Sequence, residues 1–226
     1  MNISKKFNVV LFTTIMIILL AVGYIVIYYK YEDYLLNKEI NSIKSISDIN
    51  DNYVTKGKFK VVEKAIKDYL KDYYNCFNEL NNVTHTEEFN NLLSYNNLSE
   101  DVDFNNSKKY ISNTKQIINK DIDTLITLGD KDYIKNYIFD YNLDKYFVDR
   151  YNKLLLNNKN LTKYIIDSNS LENYRNSINT KLDTTNDIYD FLNNNKDNYV
   201  LEDNQLKLKT NELISQYNSF IEKIRA

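Results

Sequence analysis

FKVVEKAIKDYLKDYYNCFNEL, residues 59–80, decides the fold class. Its apolar residues Phe59, Val62, Ile66, Tyr69, Leu70, Tyr73, Phe77 and Leu80 fall three and four apart, which places them in one stripe along a helix. Lys60, Lys64, Lys67, Asp68, Lys71 and Asp72 take the opposite face. Such a helix must bury its stripe against other helices. The same spacing recurs down the chain. Phe104 to Leu128 carries Ile111, Thr114, Ile118, Ile122 and Leu125, with Gly129 placed for a left-handed helix end. Asp130 is placed to cap a short helix with Tyr133, Ile134, Tyr137 and Ile138.

Asn142 is placed to cap a helix with Tyr146, Phe147, Tyr151, Leu154 and Leu155. Residues 161–192 read as one long helix through Ile165, Leu171, Tyr174, Ile178, Leu182, Ile188 and Phe191. Its many Asn and Ser residues are mediocre helix formers, so a break is expected near residues 167–170. Thr84-His85-Thr86-Glu87 has the Thr-x-x-Glu form of a capping box and predicts a short helix with Phe89, Leu92 and Leu93. Thr210 caps a last helix with Leu213, Tyr217, Phe220, Ile221 and Ile224, whose Lys223 and Arg225 suit the end of a helix dipole.

One stretch departs from the helical period. YVLEDNQLKL, residues 199–208, predicts a hairpin with a two-residue turn at Asp203-Asn204. That register pairs Leu201 with Leu206 and Tyr199 with Leu208 on one face. A lone hairpin is marginal in water, so this face should rest on helices.

Working outward to the amino end, residues 7–29 contain no Asp, Glu, Lys, Arg or His. Residues 9–29 alone are long enough to cross a bilayer core of about 30 Å as a helix. Tyr24, Tyr28, Tyr29, Tyr31 and Tyr34 gather at the far end, where phenol rings suit a membrane interface. Lys5 and Lys6 stand at the near end, and Glu32 and Asp33 follow beyond it, which predicts a cytoplasmic amino terminus. Leu36, Ile40 and Ile43 continue the helix to about residue 47, before polar residues 48–52 and Gly57 break it. The alternative is a signal peptide cleaved near Ala21-Val22-Gly23 and a secreted product. The apolar run continues through Tyr29, past the usual 7–15 residues of such a segment.

Composition limits the chemistry. The 226 residues carry 29 Lys+Arg against 31 Asp+Glu, which argues against a nucleic-acid binder working through a basic surface. Beyond Lys5 and Lys6 the balance is 27 to 31. The 36 asparagines, the 21 tyrosines and the lack of proline read as the codon preference of an A+T-rich genome. At this asparagine content Asn82-Val83-Thr84 and Asn160-Leu161-Thr162 are expected by chance, and tyrosines at helical spacing read as core before sugar-binding platform. Three glycines leave no phosphate-cradling loop. A single cysteine, Cys76, excludes an internal disulfide and sits on an apolar face, as an inert buried thiol would. A single histidine, His85, falls at a predicted helix start, where capping or solvation is its expected role.

Asp101, Asp103 and Asn105 reproduce the first three ligand positions of an EF-hand loop and are the weak Ca²⁺ candidates. Asn106 replaces the needed Gly, and Ser112 stands where a bidentate Glu belongs. Asp140, Asn142 and Asp144 make a second partial match that ends on Tyr151. Both stretches also suit acidic helix starts.

The sequence therefore predicts a mainly all-α protein. Residues 1–8 form a cytoplasmic tail, 9–29 a transmembrane helix in the lipid bilayer and 30–56 a juxtamembrane helix and linker. Residues 57–226 form an extracytoplasmic helical bundle with one small β-hairpin near residues 199–208. No catalytic residue and no cofactor is expected, nor any nucleic-acid partner. The expected role is a non-enzymatic binding or scaffold component of the cell envelope with a membrane or envelope protein as partner. The alternatives are an external domain sensing a small molecule or Ca²⁺ and, more remotely, a glycan hydrolase using a carboxylate pair.

Overall fold

A computed structural model describes residues 2–162 and 165–225. The chain divides into two compact units, one of Met1–Lys71 with Ile134–Tyr164 and one of Asp72–Tyr133 with Ile165–Ala226. Both are mainly helical, and the described residues contain one two-stranded hairpin.

The first unit holds helix α1 (Asn2–Ser42), a 3-10 turn at Ile46–Asp48 and the first half of α2 (Gly57–Thr84). Its carboxyl-terminal part holds α7 (Lys145–Leu156) and α8 (Lys159–Thr162). From Leu11 to Ser42, α1 is long and apolar enough to cross a membrane. Its surface changes character along its length. Leu20 and Ile27 are each 69% exposed, whereas Leu36 and Ile40 are fully buried. In the same unit Phe59, Val62, Ile66 and Tyr69 of α2 and Phe147, Tyr151 and Leu155 of α7 are also buried. Edge-on rings join these elements: Phe59 meets Tyr29 at 5.4 Å and Phe147 at 5.0 Å between centroids. Such pairs add about 0.5–1.5 kcal/mol beyond the area they bury.

α1 stops at Ser42, earlier than the residue 47 its apolar stripe predicts. Ile43 is buried, but the Asp48 carboxylate draws the backbone N–H groups of Lys44 and Ser45 into the 3-10 turn. Gly57 does not break a helix but opens α2, at φ +56°. L side chains rarely adopt this backbone conformation, so the positive φ favours glycine, and a Cβ there would also crowd the Tyr28 hydroxyl at 3.3 Å.

The second unit is organised by α5 (Asn105–Gly129) against α9 (Ser168–Asn194), with α10 (Asn211–Arg225) laid on α9. The second half of α2, the short α3 (Glu87–Asn90) and α4 (Tyr95–Glu100), and the start of α6 (Lys131–Tyr137) complete it. Ile111, Ile118, Ile122 and Leu125 of α5 share a core with Leu182, Ile188 and Leu192 of α9 and Leu80 of α2. The hairpin β1 (Tyr199–Glu202) and β2 (Gln205–Leu208) has the predicted register, Tyr199 opposite Leu208 and Leu201 opposite Leu206. Asp203 and Asn204 both take positive φ, the geometry of a type I′ turn. Its face of Tyr199, Leu201, Leu206 and Leu208 rests on this core.

Several helix ends differ from the sequence reading. The predicted long helix breaks as expected, with Asp167 capping α9 through the Ser170 N–H at 3.0 Å. Residues 163 and 164 lie outside the described residues. α3 is capped by Thr86 instead of Thr84, whose hydroxyl donates back to the Leu80 carbonyl inside α2. Leu92 and Leu93 lie beyond α3. Gly129 is not left-handed; it belongs to α5, and a Cβ there would press on Ile165 Cγ2 at 3.3 Å. Asp130 caps as predicted, accepting from the N–H groups of Asp132 and Tyr133 at 2.9 Å. α7 starts after Asp144, and Asn142 instead takes φ 49° in the preceding turn.

Candidate functional site

Where α1 turns from exposed to buried, a charged clasp holds it. Lys67 of α2 is 1% exposed, and all three of its N–H donors are used. Nζ donates to Glu39 of α1 at 2.7 Å, to Glu63 of α2 at 2.9 Å and to the Asn52 carbonyl at 2.9 Å. The Tyr53 ring lies 5.5 Å from the same ammonium. Glu63, fully buried, also accepts from the Thr55 N–H at 3.0 Å and the Thr55 hydroxyl at 2.7 Å. Buried Glu32 of α1 accepts from the Lys56 N–H at 2.7 Å, and Asp33 pairs with Arg150 of α7.

The electrostatics favour the charged forms. Burial opposes the Lys67 ammonium, but hydrogen bonds to Glu39 and Glu63 outweigh it and raise its pKa. Burial likewise opposes the Glu63 carboxylate, and Lys67 and Thr55 outweigh it and lower its pKa. Lys67 therefore does not belong to the exposed face on which the helical wheel puts it. The loop of residues 49–56 and the end of α1 cover that flank. The i,i+4 spacing of Glu63 and Lys67 was the available signal, but the same spacing is common on solvated helices.

A second arrangement lies wholly in the second unit. A cleft of about 360 Å³ is lined by Cys76 and Glu79 of α2 and by Lys120, Asp121 and Thr124 of α5. Asp121 is 4% exposed, and among the described residues its Oδ2 has no hydrogen-bond partner. Burial and the nearby Glu79 charge push its pKa up, against the opposing effect of Lys120. The Cys76 thiol donates to the Asp121 backbone carbonyl at 3.4 Å, and burial pushes its pKa up to about 11. The thiolate is the reacting species, so disulfide reagents at pH 8 should modify folded Cys76 about two orders of magnitude more slowly than the urea-unfolded chain. Stopped absorbance traces with an aryl disulfide measure both rates.

Asp121 was legible in hindsight. Thr114, Ile118, Asp121, Leu125 and Leu128 step by four, three, four and three, so the carboxylate occupies a stripe position.

The residues singled out for Ca²⁺ are engaged locally. Asp101 Oδ2 accepts from the Ser107 N–H at 2.7 Å and so caps α5 from four residues upstream of its first residue. Burial opposes its charge, and the backbone and hydroxyl of Ser107 outweigh it, lowering its pKa. Asp103 pairs with Lys196, and Asn105 is the first residue of α5. Of the second partial match, Asp144 pairs with Lys58 at 2.6 Å. Among the described residues, no three His, Cys, Asp or Glu side chains stand close enough to hold a metal ion. His85 lies between the end of α2 and Thr86, the cap of α3, and its Nδ1 is 2.8 Å from the Asn81 carbonyl oxygen.

The chain matches no protein-family model, no curated protein and no solved structure.

Proposed function

We propose that the protein is a single-pass membrane protein, uncleaved, whose residues 9–29 cross the bilayer and mount the helical units outside the cytoplasm. Its role is non-enzymatic: to hold or bind another envelope or membrane protein close to the membrane. The observation that carries this reading is the change along α1. Its apolar residues 11–27 find no cover in the protein, and in the same unbroken helix Leu36, Ile40, Glu32 and Glu39 enter the folded core and clasp. A water-filled environment would charge about 1.5–3 kcal/mol for each such large side chain, whereas lipid removes the cost. An anchor continuous with the core also fixes the folded part to the membrane without a flexible tether.

The test combines extraction with labelling. Alkaline carbonate should leave the protein in the membrane pellet, with an intact mass of 26.9 kDa showing that nothing was cleaved. A Ser47→Cys variant should react with a membrane-impermeant maleimide on intact cells, since the native Cys76 is buried. Labelling only after lysis would reverse the orientation, and release by carbonate would remove the anchor.

A further inference from the structure

We propose that the cleft between α2 and α5 of the second unit is a binding site for a small organic amine, with the Asp121 carboxylate as its anchor. This goes beyond the anchoring role and does not depend on it.

The first ground is an incomplete hydrogen-bond account. A carboxylate oxygen buried with no donor is costly, and the great majority of such atoms are satisfied in native proteins. Among the described residues Asp121 Oδ2 is one of eight buried side-chain atoms without a hydrogen-bond partner, and it is the one whose side chain lines this open cavity. The cavity, about 360 Å³, lies at the small end of the roughly 300–1,000 Å³ typical of ligand sites.

The second ground is the character of the walls. The Thr124 hydroxyl already donates to the Lys120 carbonyl at 2.9 Å, so towards a ligand it can only accept. The Cys76 S–H is likewise committed to the Asp121 carbonyl. Asp72 and Glu79 add two further carboxylates to the lining, against the single cation Lys120. Asn75 also lines the cleft, with an amide that both donates and accepts, so it is the excess of negative charge that selects a ligand carrying positive charge. An ammonium group makes a charge-assisted hydrogen bond of the kind Asp121 lacks. Leu128 closes one side of the cleft and suits the methylenes of an alkylamine. A divalent metal ion fits less well, because the described acids and thiol do not converge in threes.

Bound ammonium would also relieve the unfavourable charge of Asp121, whose pKa is raised in the free protein. Asp72, Glu79 and Lys120 are the other charged groups lining the cleft, with Cys76 the remaining titratable one.

The experiment is calorimetric titration of the full chain in detergent with 1,4-diaminobutane, with 1-butanol as the uncharged control. Saturable binding of the diamine alone is expected. Asp121→Asn should weaken it at least tenfold, and Lys120→Gln should tighten it several-fold. Asp121→Asn replaces a buried unpaired charge by a neutral amide of the same shape, so its thermal transition should be no lower than that of the parent. The absence of saturable diamine binding overturns the proposal. So does binding that Asp121→Asn leaves unchanged, or equal binding of 1-butanol.

Discussion

Truncating Lys67 to alanine should destabilise the first unit by about 3–5 kcal/mol, because Glu63 would remain buried as an uncompensated charge. Glu63 is fully buried and Lys67 nearly so, while Glu39 has partial access to water. The loss therefore falls mainly on Glu63. Converting Glu63 to glutamine in the same chain removes that charge yet keeps an acceptor for the Thr55 N–H and hydroxyl. The Glu63→Gln, Lys67→Met double variant should accordingly be more stable than Lys67→Ala alone. Urea unfolding of the full chain in detergent, followed by circular dichroism, measures both. A Lys67→Ala protein within about 1 kcal/mol of the parent would show that the clasp contributes little, as exposed ion pairs do.

The sign of the pH effect follows from the shifted groups. Glu63 has a lowered pKa in the fold, so its contribution is present above the ordinary glutamate range and is lost as the pH falls through the folded value. Lys67 has a raised pKa, so its contribution is present below the ordinary lysine range and is lost as the pH rises through the folded value. Between these limits the clasp stays charged, and acid below the lower limit or alkali above the upper one should weaken the hold on α1.

Phe104 is the second sensitive position. It is fully buried, stacks on Tyr189 with centroids 4.8 Å apart and planes 8° from parallel, and has φ 56°. The Tyr189 hydroxyl donates to the Leu92 carbonyl at 2.5 Å and accepts from the Asn97 amide at 3.1 Å. The stack therefore ties α5, α9 and the turn after α3 together. Phe104→Ala should cost about 3–5 kcal/mol through lost burial and the cavity left behind. Phe104→Gly should cost no more than Phe104→Ala, since glycine accepts the left-handed backbone that alanine resists. In an ordinary helix interior the order is the reverse, by about 0.5–1 kcal/mol. Urea midpoints of the two variants decide it: a glycine variant clearly less stable than alanine would show that the left-handed backbone is not a constraint.

How much of this was legible depends on the residue. The hairpin register could be read because alternation leaves only one pairing that puts all four large residues on one face. Asp130 and Thr210 could be read as caps because each acts on backbone within three residues. The starts of α3 and α7, after Thr86, which accepts from the Phe89 N–H, and Asp144, which makes no side-chain cap bond, were missed by two residues because neighbouring polar side chains suit that position equally. The choice between them was made by packing, which fixed where each apolar stripe had to begin.

The sequence by itself determined the mainly helical class, the stripe of each long helix, the hairpin and an amino-terminal helix apolar enough to cross a membrane. All of these follow from periodicity or length, which are properties of neighbours in the chain. Only the tertiary structure decided that Lys67 is interior, that Glu32, Glu39 and Glu63 hold α1 and its following loop, and that Asp121 lines a cleft with its Oδ2 unpaired among the described residues. A helical wheel shows which residues share a face. It does not show which face another segment will cover, and for a charged side chain the cover decides whether its partner is water, another charge or a ligand.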